Sequence, residues 1–440
     1  MSELAQLIMK TLTGKYDEVS VLVVKKESAM TKLWNTEPSI TQSWSETHIH
    51  LRLTKSRRLW VLSFETRDPL SIVKDSESLL SLVDRVEEAQ LYSPLPEPGK
   101  CSPIEEAYDS KIEPFMDNPV EPLEQMINAA IAQGVDRVAG TLTLSKITIT
   151  LVSSNGFECS EVKSQVEAYA RAFKGEISGH WAHGSTRLDL KAIEDVGRRA
   201  GYYATLTKTK VDISPGEYNV AISPLVVGNL FNYLTYMASA LQMLMGFSVF
   251  LKYPPGVRIG SELLTLIDKP RDPTLPGARG FDDEGVETFN KPIIEKGVVR
   301  SILHNSATAA KLGAKTTGNA GWIFPTPWNL EITEGDIKEE EITQLVKDGL
   351  IITNNWYTRL QNYYEGYFST VSRDVALLVR NGEVVGHVGR VRIATSYPRL
   401  LSSLVGVTKN RYDVSWWEVR IPTRAPFMIF EKVNITKPEV

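Results

Sequence analysis

From Tyr218 to Leu251 the chain carries no charged residue, and a stretch of that length could cross a bilayer. Whatever buries it limits the fold. Pro224, Gly228, Asn229, Asn232, Thr235, Ser239 and Gln242 interrupt the apolar run, and Lys252 is the one basic residue close by. Such a pattern favours a long buried helix in a packed interior or a large subunit interface over a membrane span. No membrane association is expected.

With 440 residues, two domains are the natural division. A 42% hydrophobic, 23% charged chain of net charge −4 is that of a soluble globular protein and lacks the basic excess of a nucleic-acid binder. Two cysteines, Cys101 and Cys159, make neither a zinc cluster nor a disulfide framework and fit a reducing compartment. The start, Met1-Ser2-Glu3-Leu4, is acidic and lacks a basic and apolar leader, so no secretory signal is expected.

The pattern of elements is α+β. An N-terminal α/β domain spans residues 1–210. Within it, Leu4 to Leu12 reads as a helix, and Val19–Val24, His48–Leu53 and Arg58–Phe64 read as strands. Leu70 to Ala89 has helical spacing. A Pro-rich connection over 94–122 is expected to lack regular structure. A helix (123–133), two strands (138–145 and 148–153), a strand (165–173) and a helix (188–206) follow. Residues 211–440 form a strand-rich domain, mostly antiparallel and barrel-like, around the long buried helix. Asn155-Gly156 and Asn381-Gly382 mark hairpin turns.

Two blocks could carry chemistry. Phe281-Asp282-Asp283-Glu284-Gly285 holds three carboxylates in a row. Neighbouring carboxylates can bind a metal or share a proton, but consecutive strand residues face opposite ways. A turn bonded to backbone amides, with Gly285 at positive φ, is the favoured reading. Thr316-Thr317-Gly318-Asn319-Ala320-Gly321 is a small polar loop that could approach a peptide closely; a plain connection is equally consistent. His180-Trp181-Ala182-His183 has a spacing a helix could use for a metal, but Gly179 and Gly184 oppose a helix there and no carboxylate completes a tetrahedral site. His48 and His50 share one face of a strand. No serine-hydrolase elbow and no dinucleotide fingerprint occurs. The catalytic set is none, and so is the metal set.

With these residues in view the chain resembles the TldD/PmbA family, PmbA being also called TldE. The resemblance is carried by Ile222-Ser223-Pro224 opening a helix, Phe281 to Gly285, Ser306-Ala307 with Lys311-Leu312-Gly313, Thr316 to Ala320, Gly366-Tyr367-Phe368-Ser369 and Asn381-Gly382-Glu383. It implies a cytoplasmic metallopeptidase system acting on peptides or unfolded protein. In TldD-like subunits the helix after the proline carries a His-Glu-x-x-x-His motif, and a late cysteine completes the zinc site. Aligned through Pro224 and Gly228, the first His position falls on Asn232, the Glu on Tyr233 and the second His on Met237. No cysteine follows Cys159.

The resemblance therefore implies a non-catalytic PmbA/TldE-like subunit without a cofactor of its own, paired with a TldD-like partner that holds zinc. Thr317, Gly318, Asn319 and Trp322 are the expected substrate-groove residues, accepting an unfolded peptide as an added strand. A homodimer in isolation is compatible with this. The alternatives are a regulatory binding protein without peptidase role, as the family's naming for gyrase modulation suggests, and a homodimeric peptidase with an atypical site. No nucleic acid is expected as a partner.

Overall fold

Local turn chemistry and one proline-led helix start organise the molecule. The computed structural model describes residues 2–65 and 68–437. Helix α1 (Ser2–Leu12) buries Ala5, Ile8 and Leu12 along one stripe, the spacing of an amphipathic helix. That stripe joins Val19, Val21, Val23, Ile49, Leu51 and Leu53 in one apolar cluster. The latter belong to β1 (Glu18–Trp34) and β2 (Glu37–Lys55). With β3 (Arg58–Glu65), β4 (Arg137–Ser153), β5 (Glu158–Lys174) and β6 (Ile177–Ser185) they form a six-stranded sheet in the order β3-β2-β1-β4-β5-β6. Every pairing in it is antiparallel.

Three expectations change here. The strands expected at 138–145 and 148–153 are one continuous strand, because Lys146-Ile147 pair on both sides, with β1 and β5. Helical spacing over 70–89 yields α2 (Pro69–Ser78) and then a 3₁₀ segment, Leu79–Arg85; the side chain of Leu70 lies outside the described residues. The Pro-rich connection is not without regular structure. It holds a 3₁₀ turn at Glu105–Ala107 and α3 (Ile112–Asp117), and α4 (Val120–Ile131) begins inside its expected limit.

The connection is also bonded down. Leu95 N donates to Glu18 Oε1 at 2.7 Å and Asn155 Nδ2 donates to the Pro96 carbonyl at 2.8 Å. Cys101 and Cys159 are joined in a disulfide, 58 residues apart in sequence. This corrects the expectation of two thiols: one pair is no framework, but it staples this segment to β5.

After α5 (Leu190–Thr205) the second sheet begins with β7 (Gly216–Ile222). Its other strands are β8 (Leu266–Asp268), β9 (Lys291–Glu295), β10 (Val298–Val299), β11 (Leu330–Ile332), β12 (Gly349–Asn362), β13 (Tyr367–Arg380), β14 (Glu383–Val388), β15 (Arg392–Ser396), β16 (Leu404–Trp416) and β17 (Val419–Thr436). The path β17-β15-β13-β12-β7 returns to its start because β17 also pairs with β7. The sheet thus closes into the expected barrel-like arrangement. Two pairings, β7 with β12 and β11 with β17, are parallel. Asn155-Gly156 and Asn381-Gly382 stand at the β4–β5 and β13–β14 turns, both glycines at positive φ.

The uncharged stretch is not one long helix. It runs as β7, then α6 (Pro224–Met237), then the short α7 (Ala240–Leu244) and a 3₁₀ turn at Val249–Leu251. Pro224 occupies the first turn of α6, where its missing N–H costs nothing. Ser248 Oγ donates to the Met237 carbonyl at 2.6 Å, capping the far end. α6 packs inside the chain: Leu225, Val226, Val227, Leu230, Phe231, Leu234 and Met237 are all buried. This burial within the chain is the packed interior that the uncharged pattern allowed. Among the described residues no helix is long and apolar enough to cross a membrane.

Candidate functional site

Helix α6 presents the three positions where the resemblance places a metal motif. Asn232 donates from Nδ2 to the Ile421 carbonyl at 3.1 Å and to Thr423 Oγ1 at 3.2 Å. Its Oδ1 accepts from Ile421 N at 2.8 Å. The amide therefore clasps the start of β17 with both ends. Met237 is fully buried among aliphatic neighbours. Tyr233 is half-buried, and burial followed by the nearby Glu418 charge raises its phenol. One helical turn earlier, Asn229 donates to the Glu418 carbonyl and accepts from Asn355 and Thr358. An amide, a phenol and a thioether at these positions do not form the donor set of a zinc site. Among the described residues, no three His, Cys, Asp or Glu side chains are grouped to hold a metal ion.

The acidic turn is scaffold. Asp282 is fully buried, and its Oδ1 accepts from Glu284 N and Val286 N, each at 3.0 Å. Its Oδ2 accepts from Ala320 N at 3.0 Å. Glu284 accepts from Ser306 N at 2.8 Å and Ser306 Oγ at 2.6 Å. Burial is the main cause that raises both carboxyls. Asp283 pairs with Arg279 at 2.8 Å, and Arg279 lies over Trp328. Gly285 takes φ +79°, and a Cβ there would meet the Phe157 ring at 2.7 Å. The turn ties Gly99 to the start of α8 (Ser306–Leu312), and the nearby Cys101–Cys159 disulfide extends that link to β5.

The four expected groove residues lie beside this turn. Asn319 is fully buried and donates to Asp268 Oδ2 at 2.7 Å and the Thr326 carbonyl at 3.0 Å. Its amide faces inward. Thr317 Oγ1 bridges the backbone N–H and carbonyl of His304. Gly318, at φ +67°, lies against the Glu287 backbone and accepts from Trp328 Nε1 at 2.8 Å. Trp322 is 8% exposed and donates from Nε1 to the Asp283 carbonyl at 2.6 Å. They form one connected loop whose polar atoms are largely engaged with the protein.

The histidines separate. His48 and His50 stack on β2, with His50 Nδ1 2.8 Å from Ser63 Oγ. His180 and His183 are three apart on β6, which puts their side chains on opposite faces and denies them a common metal. His180 is 1% exposed and packs on Trp416 at 4.4 Å between ring centres. Burial pushes it down to about 3. Beside it, Asp374 joins the two sheets: it accepts from Ser178 Oγ at 2.7 Å and Asn354 Nδ2 at 2.8 Å and pairs with Arg171 at 2.8 Å. Trp356, Arg373, Trp416 and Trp417 also gather here, and the sequence reading missed them. The adjacent Trp416-Trp417 pair, one ring buried and one exposed, was the available signal.

Comparison with known proteins gives this geometry a family. Residues 215–437 match the profile described as the PmbA/TldA metallopeptidase C-terminal domain, and residues 75–206 match its central domain. The chain is 27% identical over 281 residues to a metalloprotease of Synechocystis, covering 61% of this chain and 60% of that one. It is 27% identical over 275 residues to the metalloprotease PmbA of Escherichia coli O157:H7, covering 60% and 58%. The match thus spans about three-fifths of these relatives' length. The crystal structure of TldE from Thermococcus kodakarensis shares the fold with a TM-score of 0.84 at 21% identity, covering 99% of this chain and 100% of that one. With more than half of its length matched by the C-terminal profile alone, the chain belongs to the TldD/PmbA family of metalloproteases.

Proposed function

We propose that this chain is the non-catalytic, PmbA/TldE-like subunit of a TldD/TldE-type zinc metallopeptidase that degrades peptides or unfolded protein. One observation carries the reading: on α6, where the resemblance places the motif, stand Asn232, Tyr233 and Met237, and Asn232 spends both ends of its amide on the protein itself. A hydrolytic zinc site needs nitrogen, sulfur or carboxylate ligands and a base to activate water. These residues supply neither, and no cysteine follows Cys159. The zinc then belongs to a TldD-like partner, and no step of hydrolysis is assigned to this chain.

Its own contribution is shape. The loop carrying Thr317, Gly318 and Trp322, with Asn319 supporting it from inside, forms part of a tunnel wall where an unfolded peptide adds as a strand. Backbone pairing of that kind reads sequence loosely. A cytoplasmic location belongs to the same proposal, and the Cys101–Cys159 disulfide is the feature that speaks for an oxidising environment instead.

The test is peptide cleavage by a TldD-like partner with and without this chain. The reading predicts that the chain alone is inert and that the pair exceeds the partner alone. A partner fully active by itself and unchanged by this chain overturns it. A pull-down that recovers a topoisomerase and no TldD-like chain would favour the regulatory reading.

A further inference from the structure

The wall where the two sheets meet contains donors that no group among the described residues accepts. A cavity of about 810 Å³ opens there, lined by Trp34, Tyr169, His180, Arg373, Trp416 and Trp417 among others. Its size is that of a small-ligand site. Its surroundings are mainly apolar and aromatic, yet Trp416 Nε1, Arg373 Nη1 and both ring nitrogens of His180 are buried without a hydrogen-bond partner among the described residues. Trp416 is 2% exposed and His180 1%, so both face the cavity and not the outer surface. A buried unpaired donor costs about 1–3 kcal/mol, and several side by side are seldom kept without a use.

Two carboxylates, Asp374 and Glu418, act on Arg373, and neither pairs with it among the described residues. Asp374 is committed to Arg171, Ser178 and Asn354. Arg373 lies over Trp417 at 5.5 Å and over Trp356 at 5.1 Å. Two indoles hold the guanidinium in place and offer it no acceptor. Burial and the Arg171 and Arg390 charges push Arg373 down, with Asp374 and Glu418 opposing. An anion seated here would relieve that crowding. Neutral His180 supplies one further donor and one acceptor.

We infer that this cavity binds the C-terminal residue of a peptide, its carboxylate on Arg373 and Trp416 and its large apolar side chain between Trp417 and Tyr169. Three features select that ligand. The unpaired donors need an acceptor, and the planar, charged Arg373 guanidinium favours a carboxylate. The aromatic walls require an apolar group attached to it. The exposed Trp34 and Trp417, 72% and 53% exposed, leave the rim open for the rest of a chain to emerge. A peptide end is the form in which a peptide-degrading complex would meet this chemistry, so the choice of ligand rests on the subunit reading above. C-terminal capture would set where an unfolded chain enters.

The experiment is calorimetric titration of the full chain with acetyl-Gly-Leu-Phe as free acid and as its amide. The free acid should bind at least about tenfold more tightly, the value of one charge-assisted contact. Arg373→Met should abolish that preference, and Trp417→Ala, at the exposed rim, should weaken both peptides while leaving the thermal melt unchanged. Equal affinity for acid and amide, no binding of the acid, or an acid preference that survives Arg373→Met overturns the inference. Stimulation of a TldD-like partner is measured separately. Carboxylate-dependent binding without stimulation would refute the subunit reading and leave the site standing.

Discussion

Helix α6 and the wall around His180 are both buried and polar, but they treat their polar atoms in opposite ways. On α6, Asn232 uses its donor and its acceptor on Ile421 and Thr423. At the wall, His180, Trp416 and Arg373 present buried donors with no partner among the described residues. Most polar atoms of the scaffold are consumed by the scaffold, with Asn319 Oδ1 and Asn355 Oδ1 as exceptions. One left over in a cavity is available to something from outside. Under the proposed subunit role, the Asn232 position is structure in this chain, and unpaired donors gather at the wall.

The contrast can be broken by stability measurements. The scaffold side should be costly to disturb. Replacing Cys101 and Cys159 together by serine removes a cross-link spanning 58 residues, and denaturant unfolding should show a loss of about 4 kcal/mol. Asn232→Ala strands the Ile421 N–H, while the Ile421 carbonyl keeps the Thr423 hydroxyl, and the same assay should show a loss of about 2 kcal/mol.

The cavity side should answer to pH and ligand. His180 sits at about 3 in the folded chain against 6.5 when free. A depressed histidine binds its proton in the unfolded chain first, so stability is complete above 6.5 and falls as pH drops toward 3. The slope should be about 1.4 kcal/mol per pH unit from this group. His180→Phe should flatten that part of the profile, and an unchanged acid limb would contradict its neutral burial. At the small end, Tyr233→Phe on α6 should change stability by less than about 0.5 kcal/mol, since its role there is packing.

Much of the frame was legible in the residues. Asn155-Gly156 and Asn381-Gly382 marked their hairpins because a two-residue turn is local chemistry. The Asp282 turn was legible for the same reason: aspartates beside a glycine bond to nearby amides. The full length of β1 and β2 was not. In β2, Glu37 to Ser43 are exposed and show no alternation. The uncharged stretch concealed a strand and two helices because burial on all sides erases periodicity. The Cys101–Cys159 bond and the cavity at His180 depend on contacts between distant segments, which no local pattern records. Asn319 looked like an exposed loop amide, and only the tertiary fold shows it turned inward to Asp268.

The central claim is that this member of a metallopeptidase family carries no metal site of its own. The most direct measurement is zinc content of the pure chain after equilibration with the ion and gel filtration. The account predicts far less than one zinc per chain, with no gain in peptide cleavage. One tightly held zinc per chain would contradict it.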